Sequence, residues 1–201
     1  MHLDEGRSEE REPHVEVANL DVAEWFFDKQ AFASRLGQTL IETGFCIIRN
    51  HGVPNEIISQ AFSTSRQLFH LDPTIKVPYE APELGHQRGY IPFEAEKYPG
   101  QPADRKEMWH IGRESEHPNI WPKELPEFKP AMEQLYAALD KCAEPLLGAC
   151  AVFLGEQETL FSDMAHDGRS IMRVINYPAL SDGSKVSSSK DAQWAGEHTD
   201  I

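Results

Sequence analysis

His198 and Asp200 stand two residues apart, and that spacing can hold a metal ion. Along an extended strand the side chains at i and i+2 share a face. A strand over residues 196–201 therefore presents an imidazole and a carboxylate side by side. Joined by a second imidazole, the pair makes a two-His, one-carboxylate face with open coordination positions, a set suited to Fe(II) and to chemistry with O2. The same spacing recurs at His2–Asp4 and His70–Asp72. His2 lies in a charged stretch, and Asp72 precedes Pro73 at a helix end, where the two side chains need not share a face. Only His198 and Asp200 fall in a predicted strand. So short a motif arises by chance as well, so the surrounding elements decide its weight. A zinc hydrolase on the same pair is disfavoured, because no further nitrogen ligands stand at a recognised spacing.

Those elements follow from hydrophobic period and turn chemistry. Residues 14–20 alternate like a short strand. Residues 29–43 place Phe32, Leu36, Leu40 and Ile41 on one helical face, with Gly44 as the breaker. Phe45 to Ile48 reads as a buried strand, and Asn50-His51-Gly52 as a turn. A second helix opens at Pro54-Asn55, with Ile57, Ile58, Ala61, Phe62, Leu68 and Phe69 on its apolar side. Residues 71–126 hold nine prolines and read as a long irregular connection, normally a functional one. From Phe128 an apolar stripe runs to Leu154 and stops at Gly155, with Pro145 expected to kink the helix or mark a boundary. Residues 170–177 read as a strand that carries Arg173, Ile175 and Tyr177 on one face. Residues 181–191 hold five serines and read as a surface loop. Helices first and strands later give an α+β fold.

Composition narrows the function. The 201 residues carry 33 acids against 19 Lys and Arg, a formal charge of -14. Phosphate binding needs clustered basic surface, so nucleic acid is not the expected partner, and an anionic membrane surface is equally disfavoured. No apolar run approaches the roughly 18 residues of a spanning helix. Cys46, Cys142 and Cys150 are too few for a disulfide framework and read as small buried hydrophobes. The expected setting is the cytoplasm, and the oligomeric state stays open.

Five segments, in order, resemble the isopenicillin N synthase-like family of Fe(II)/2-oxoglutarate-dependent oxygenases. They are Gly44-Phe45-Cys46-Ile47-Ile48-Arg49-Asn50-His51-Gly52-Val53-Pro54, Leu68-Phe69 through Lys76, and Gly89-Tyr90-Ile91-Pro92 with Glu96, Gly100, Asp104, Lys106-Glu107 and Gly112. Met172 to Pro178 and Gly196-Glu197-His198-Thr199-Asp200 complete the set. The resemblance spans about residues 14–201. It implies a helical N-terminal region followed by the first strands of a double-stranded β-helix, or jelly roll, incomplete in this chain. The implied organisation is an acidic disordered tail at 1–13, the dioxygenase N-terminal region at 14–126, and the long helix with the opening jelly-roll strands at 127–201.

The same resemblance implies Fe(II) as cofactor, 2-oxoglutarate as cosubstrate, and O2 with a small-molecule substrate as partners. The reaction would decarboxylate 2-oxoglutarate to succinate and CO2. By position, His198 and Asp200 are implied iron ligands, and Tyr177 and Arg173 are implied cosubstrate contacts, with Arg173 alternatively meeting an anionic substrate. Glu94 and Glu96 are candidates for a cationic substrate group. The family's distal His and its Arg-x-Ser segment would lie beyond residue 201, so the chain is expected to be a fragment lacking the third iron ligand. A non-catalytic truncated product or binding module is the alternative. Ile175 stands where many plant members have Asn, and Asn176 falls on the opposite face.

Several of these residues have plain structural readings. His51 suits a turn held by side-chain hydrogen bonds. His110 and Trp109 lie near the Lys106-Glu107 pair, a region that the resemblance implies approaches the substrate pocket, and for His110 a surface or packing role is favoured over that one. Glu94 and Glu96 suit solvated charges. Arg173, if buried, needs an anion, either a ligand or an ion-pair partner. Tyr177 is either a core tyrosine or a cosubstrate contact.

Overall fold

The computed structural model describes residues 16–95, 104–115 and 117–178. The expected tail at 1–13, Glu96, Gly100, the serine-rich loop, the last strand, His198 and Asp200 lie outside the described residues. The chain divides into two compact units, and neither is continuous in sequence. One runs to Gly52 and adds Cys142–Ser162. The other holds Val53–Lys141 and the residues from Asp163 onward.

In the first unit, strand β1 (Asn19–Asp21) pairs in parallel with β2 (Ile47–Arg49), and helix α1 (Lys29–Thr43) connects them. Local chemistry sets each boundary. Asp21 accepts from the Ala23 N–H at 2.9 Å and starts a 3-10 turn. Asp28 accepts from the Ala31 N–H at 3.0 Å and caps α1. Gly44, at φ 73°, ends α1 by returning its N–H to the Leu40 carbonyl. Asn50 donates to Asp21 at 2.7 Å and Arg49 to Asn19 at 3.1 Å, which ties the two strands beyond their short ladder. The unit buries Leu20, Val22, Trp25, Phe32, Ala33, Leu36 and Ala149 together. Ile41, expected on this face, is 69% exposed; the buried stripe is centred on Phe32, Ala33 and Leu36. The three cysteines are half-buried free thiols rather than fully buried hydrophobes.

The second unit carries helices α2 (Asn55–His70) and α3 (Pro73–Lys76), and strands β3 (Gly89–Ile91) and β4 (Glu107–Gly112). It also holds the first part of the long helix α4 (Phe128–Phe153), then α5 (Leu160–His166) and strand β5 (Ile171–Asn176), with the unit boundaries falling inside α4 and α5. The strands form an antiparallel sheet in the order β3-β4-β5. The expectation of an irregular 71–126 therefore missed two strands. Proline punctuation hid them, and β4 (Glu-Met-Trp-His-Ile-Gly) is buried at every position, so it shows no polar alternation to read. Its Glu107, Trp109 and Ile111 pair across with Asn176, Val174 and Met172. This face meets the core of Leu68, Tyr90, Phe128 and Met132. The Trp109 indole donates to the Ile120 carbonyl at 3.2 Å and packs against Phe128 at 5.8 Å between ring centres. Trp109 is thus a core anchor and not a pocket residue.

Helix α4 continues unbroken through Pro145. Proline has no N–H for the carbonyl four residues back, here Lys141, and the boundary between the units falls at Lys141–Cys142. Among the described residues no helix is long and apolar enough to cross a membrane.

Helix packing in the first unit has one tight point. A Cβ on Gly37 would lie 2.2 Å from the Phe153 ring. Gly37→Ala should therefore lower stability by about 1–3 kcal/mol, read as a lower urea midpoint at unchanged slope. Phe153→Leu in the same chain should relieve part of that loss.

Candidate active site

Strand β5 sorts its side chains by face. Met172, Val174 and Asn176 turn toward β4 and the core, whereas Arg173, Ile175 and Tyr177 stand exposed. Arg173 is therefore not the buried arginine that would demand an ion-pair partner. Tyr177 is 40% exposed and is not a core tyrosine. The alternation brings Arg173 and Tyr177 to one face, as strand geometry requires. On that face β4 contributes Met108 opposite Ile175 and His110 opposite Arg173. His110 is buried, and its Nδ1–H donates to the His86 carbonyl at 2.8 Å. Directly opposed residues in an antiparallel pair hold their Cβ atoms roughly 5 Å apart, so an imidazole and a guanidinium are neighbours here. Packing explains the burial of His110, and its register gives it a place beside Arg173 that spacing alone did not reveal.

Glu94 sits apart from this pair, in an exposed turn at φ 63°, where its N–H bonds the Asp104 carbonyl at 3.3 Å. The structure does not bring Glu94 together with Arg173 or Tyr177 by any hydrogen bond among the described residues.

Behind β5 lies a buried polar cluster. Glu107 and Lys76 are 2% and 3% exposed, and their side chains meet at 2.7 Å. The same Oε2 of Glu107 accepts from the Tyr90 hydroxyl at 2.7 Å, and Oε1 accepts from the Asn176 amide at 2.9 Å. Lys76 also donates to the Phe69 carbonyl at 3.1 Å, and its ammonium lies 5.4 Å from the centre of the Tyr90 ring. A buried ion pair repays its desolvation only when its remaining hydrogen-bonding capacity is met; here Tyr90 and Asn176 add two donors to Glu107 and the Phe69 carbonyl adds an acceptor for Lys76. One carboxylate thus joins α3, β3, β4 and the end of β5. Sequence reasoning singled out Lys76, Tyr90 and Glu107 only as motif letters and set Asn176 aside. The available signal was Glu107 opening a strand whose same-face residues, Trp109 and Ile111, are apolar. A second buried pair, Asp104–Lys106 at 2.9 Å, precedes β4.

A groove of about 360 Å3 runs along α2, α4 and β5 in the same unit. Phe62, 70% exposed, lines it rather than joining the core face of α2 as its period predicts.

The cluster has two measurable consequences. Lys76→Met leaves Glu107 buried without its cation and should cost about 3–5 kcal/mol, measured by chemical denaturation. Burial first, then the hydrogen bond to the Glu107 carboxylate and its charge, push the Tyr90 phenol well above its ordinary value. A raised folded pKa means this contribution to stability is complete below the unfolded value of about 10 and is lost as pH climbs above it. Melting temperature should therefore fall between about pH 10 and 11 in the native protein and fall less in Tyr90→Phe.

A family model described as the non-haem dioxygenase in morphine synthesis N-terminal region matches residues 13–126. The chain is 27% identical over 167 residues to a 2-oxoglutarate-Fe(II) type oxidoreductase of Aspergillus fumigatus, covering 75% of this chain and 50% of that protein. It is 30% identical over 191 residues to a 2-oxoglutarate-dependent dioxygenase of Aspergillus rugulosus, covering 87% and 57%. A full-length Neurospora crassa protein, crystallised in complex with alpha-KG, superposes with a TM-score of 0.74 at 27% identity, over 90% of this chain and 60% of that one. The chain spans about half to three fifths of the length of these relatives.

Proposed function

Because the chain belongs to the non-haem dioxygenase family, whose N-terminal region covers residues 13–126, we propose that it forms the N-terminal region and opening jelly-roll strands of an Fe(II)/2-oxoglutarate-dependent oxygenase acting on a small molecule. The observation that carries the reading is β5. It carries Arg173 on an exposed face and leads directly into the exposed Tyr177, ahead of His198 and Asp200 in the chain. In this reading residues 1–13 are a tail, 14–126 the N-terminal region, and 127–201 the long helix with the first catalytic strands.

The donor types fit the metal. An imidazole nitrogen and a carboxylate oxygen from His198 and Asp200 supply two of the three protein ligands typical of an open Fe(II) site. A second histidine would complete the set. Among the described residues no three metal-binding side chains gather. When bound, iron supplies open positions at which O2 and the keto acid end of 2-oxoglutarate are brought to a substrate C–H bond.

The protein's own share is orientation. The Tyr177 hydroxyl donates to a carboxylate oxygen of 2-oxoglutarate. The Arg173 guanidinium offers a fixed positive charge to the cosubstrate or to an anionic substrate, with His110 beside it. Glu94 and Glu96 are assigned to a cationic substrate group. Neither a nucleic acid nor a membrane is assigned as a partner. Free thiols at Cys46, Cys142 and Cys150 suit a reducing compartment, and we place the protein in the cytoplasm.

The test is anaerobic Fe(II) binding together with succinate formation from 2-oxoglutarate by the whole protein across a metabolite panel. His198→Ala should weaken Fe(II) binding by at least about tenfold and abolish succinate formation. Equal metal binding and turnover in His198→Ala would remove this residue from the iron site.

A further inference from the structure

We infer that Glu107 and Asn176 are positioning residues for Tyr177, so that the buried carboxylate behind β5 sets how firmly the exposed face in front of it holds 2-oxoglutarate. The inference rests on the reading of Tyr177 as a cosubstrate contact. It adds two residues that touch neither iron nor 2-oxoglutarate in that reading.

The geometry is that of a clamp at the end of a ladder. The pairing of β4 with β5 finishes at Glu107 opposite Asn176. Tyr177 is the next residue, and Pro178 after it has no N–H with which to extend the ladder. Strand ends of this kind fray unless a side chain holds them. Here the last paired residue is held twice, by register and by its amide donating to Glu107 Oε1 at 2.9 Å. Glu107 is itself immobilised, because its other oxygen accepts from Lys76 and from Tyr90, each at 2.7 Å. Side chains alternate across a strand, so fixing Asn176 on the inner face fixes the direction in which Tyr177 leaves the outer face. A contact to a carboxylate is lost with small displacements of this kind, and precise placement is what such supporting shells provide.

The experiment is a swap. Asn176→Asp sets two carboxylates against each other and breaks the clamp. Glu107→Gln with Asn176→Asp reverses donor and acceptor and keeps one negative charge in the cluster, moved from position 107 to position 176, while the side-chain carbonyl at 107 still accepts from Lys76 and Tyr90. In the iron-loaded protein the dissociation constant for 2-oxoglutarate is measured anaerobically by calorimetry. Hydrogen exchange is followed over residues 171–177, and Tyr177→Phe is run alongside. Asn176→Asp should weaken 2-oxoglutarate binding about tenfold and speed exchange at the end of β5, with Fe(II) affinity unchanged. The swap should recover most of both losses, as expected for directly coupled residues. If Asn176→Asp does not fold, Asn176→Ala removes the donor without adding charge, and the same tenfold loss is expected.

If Tyr177→Phe weakens binding while Asn176→Asp or Asn176→Ala leaves it unchanged, the positioning role is overturned and the cosubstrate reading stands. Faster exchange with unaltered affinity means the clamp is structural only, and likewise overturns it. A swap that recovers nothing does the same. If Tyr177→Phe itself leaves binding unchanged, the cosubstrate reading falls and takes this inference with it.

Discussion

A carboxylate cannot be placed in a protein interior alone. Glu107 is almost wholly removed from water, and the cost of burying its charge falls with every donor that reaches it. Three donors do so, and they come from residues 31, 17 and 69 positions away. The second unit is therefore constrained at one point from three directions. Helix α3 must deliver Lys76, β3 must deliver Tyr90, and β5 must end with Asn176 in register. A slip of one residue in β5 would turn Asn176 outward and Ile175 inward, leaving the carboxylate short of a donor and an apolar side chain in its place. Hydrophobic packing around Trp109 and Phe128 opposes the same slip, since the slip would also turn Met172 and Val174 away from the core.

That constraint explains why the two faces of β5 differ so much. The inner face is specified by partners within the described residues. The outer face carries Arg173, Ile175 and Tyr177, whose exposure suits contact with a further layer or with ligands. A single short strand thus separates a saturated polar interior from a surface that bears charged and phenolic groups. The short length helps, since a six-residue strand has few ways to accommodate strain. The neighbouring His110 is held by the His86 carbonyl through one nitrogen, which fixes its tautomer as well as its ring orientation.

The sequence was legible wherever the determinants were local. Helix α1 could be bounded because Asp28 and Gly44 cap it in ways that need no tertiary information, and β5 because its apolar run is flanked by polar punctuation. The shared face of Arg173 and Tyr177 followed from strand period alone. Legibility failed where burial was complete. Strand β4 has no exposed edge of pattern to announce it, and proline-rich flanks argued against regular structure. Exposure of Ile41 and Phe62 was equally hidden, because helical period marks a stripe but not its width. Within the candidate site, the role of Asn176 escaped because its partner lies 69 residues away, and no spacing rule reaches so far.

The discontinuity of both units carries a consequence for how the chain is made. A ribosome releases residues in order, and domains tend to close as their last element emerges. The first unit lacks its second segment until Ser162 has appeared, and the second has no partner for Glu107 Oε1 until Asn176 has appeared. Between the emergence of Glu107 and that of Asn176 the polypeptide therefore carries a carboxylate short of one of its three donors. The gap in the first unit is resolved when Ser162 has appeared, within α5, and that at the carboxylate only when Asn176 ends β5.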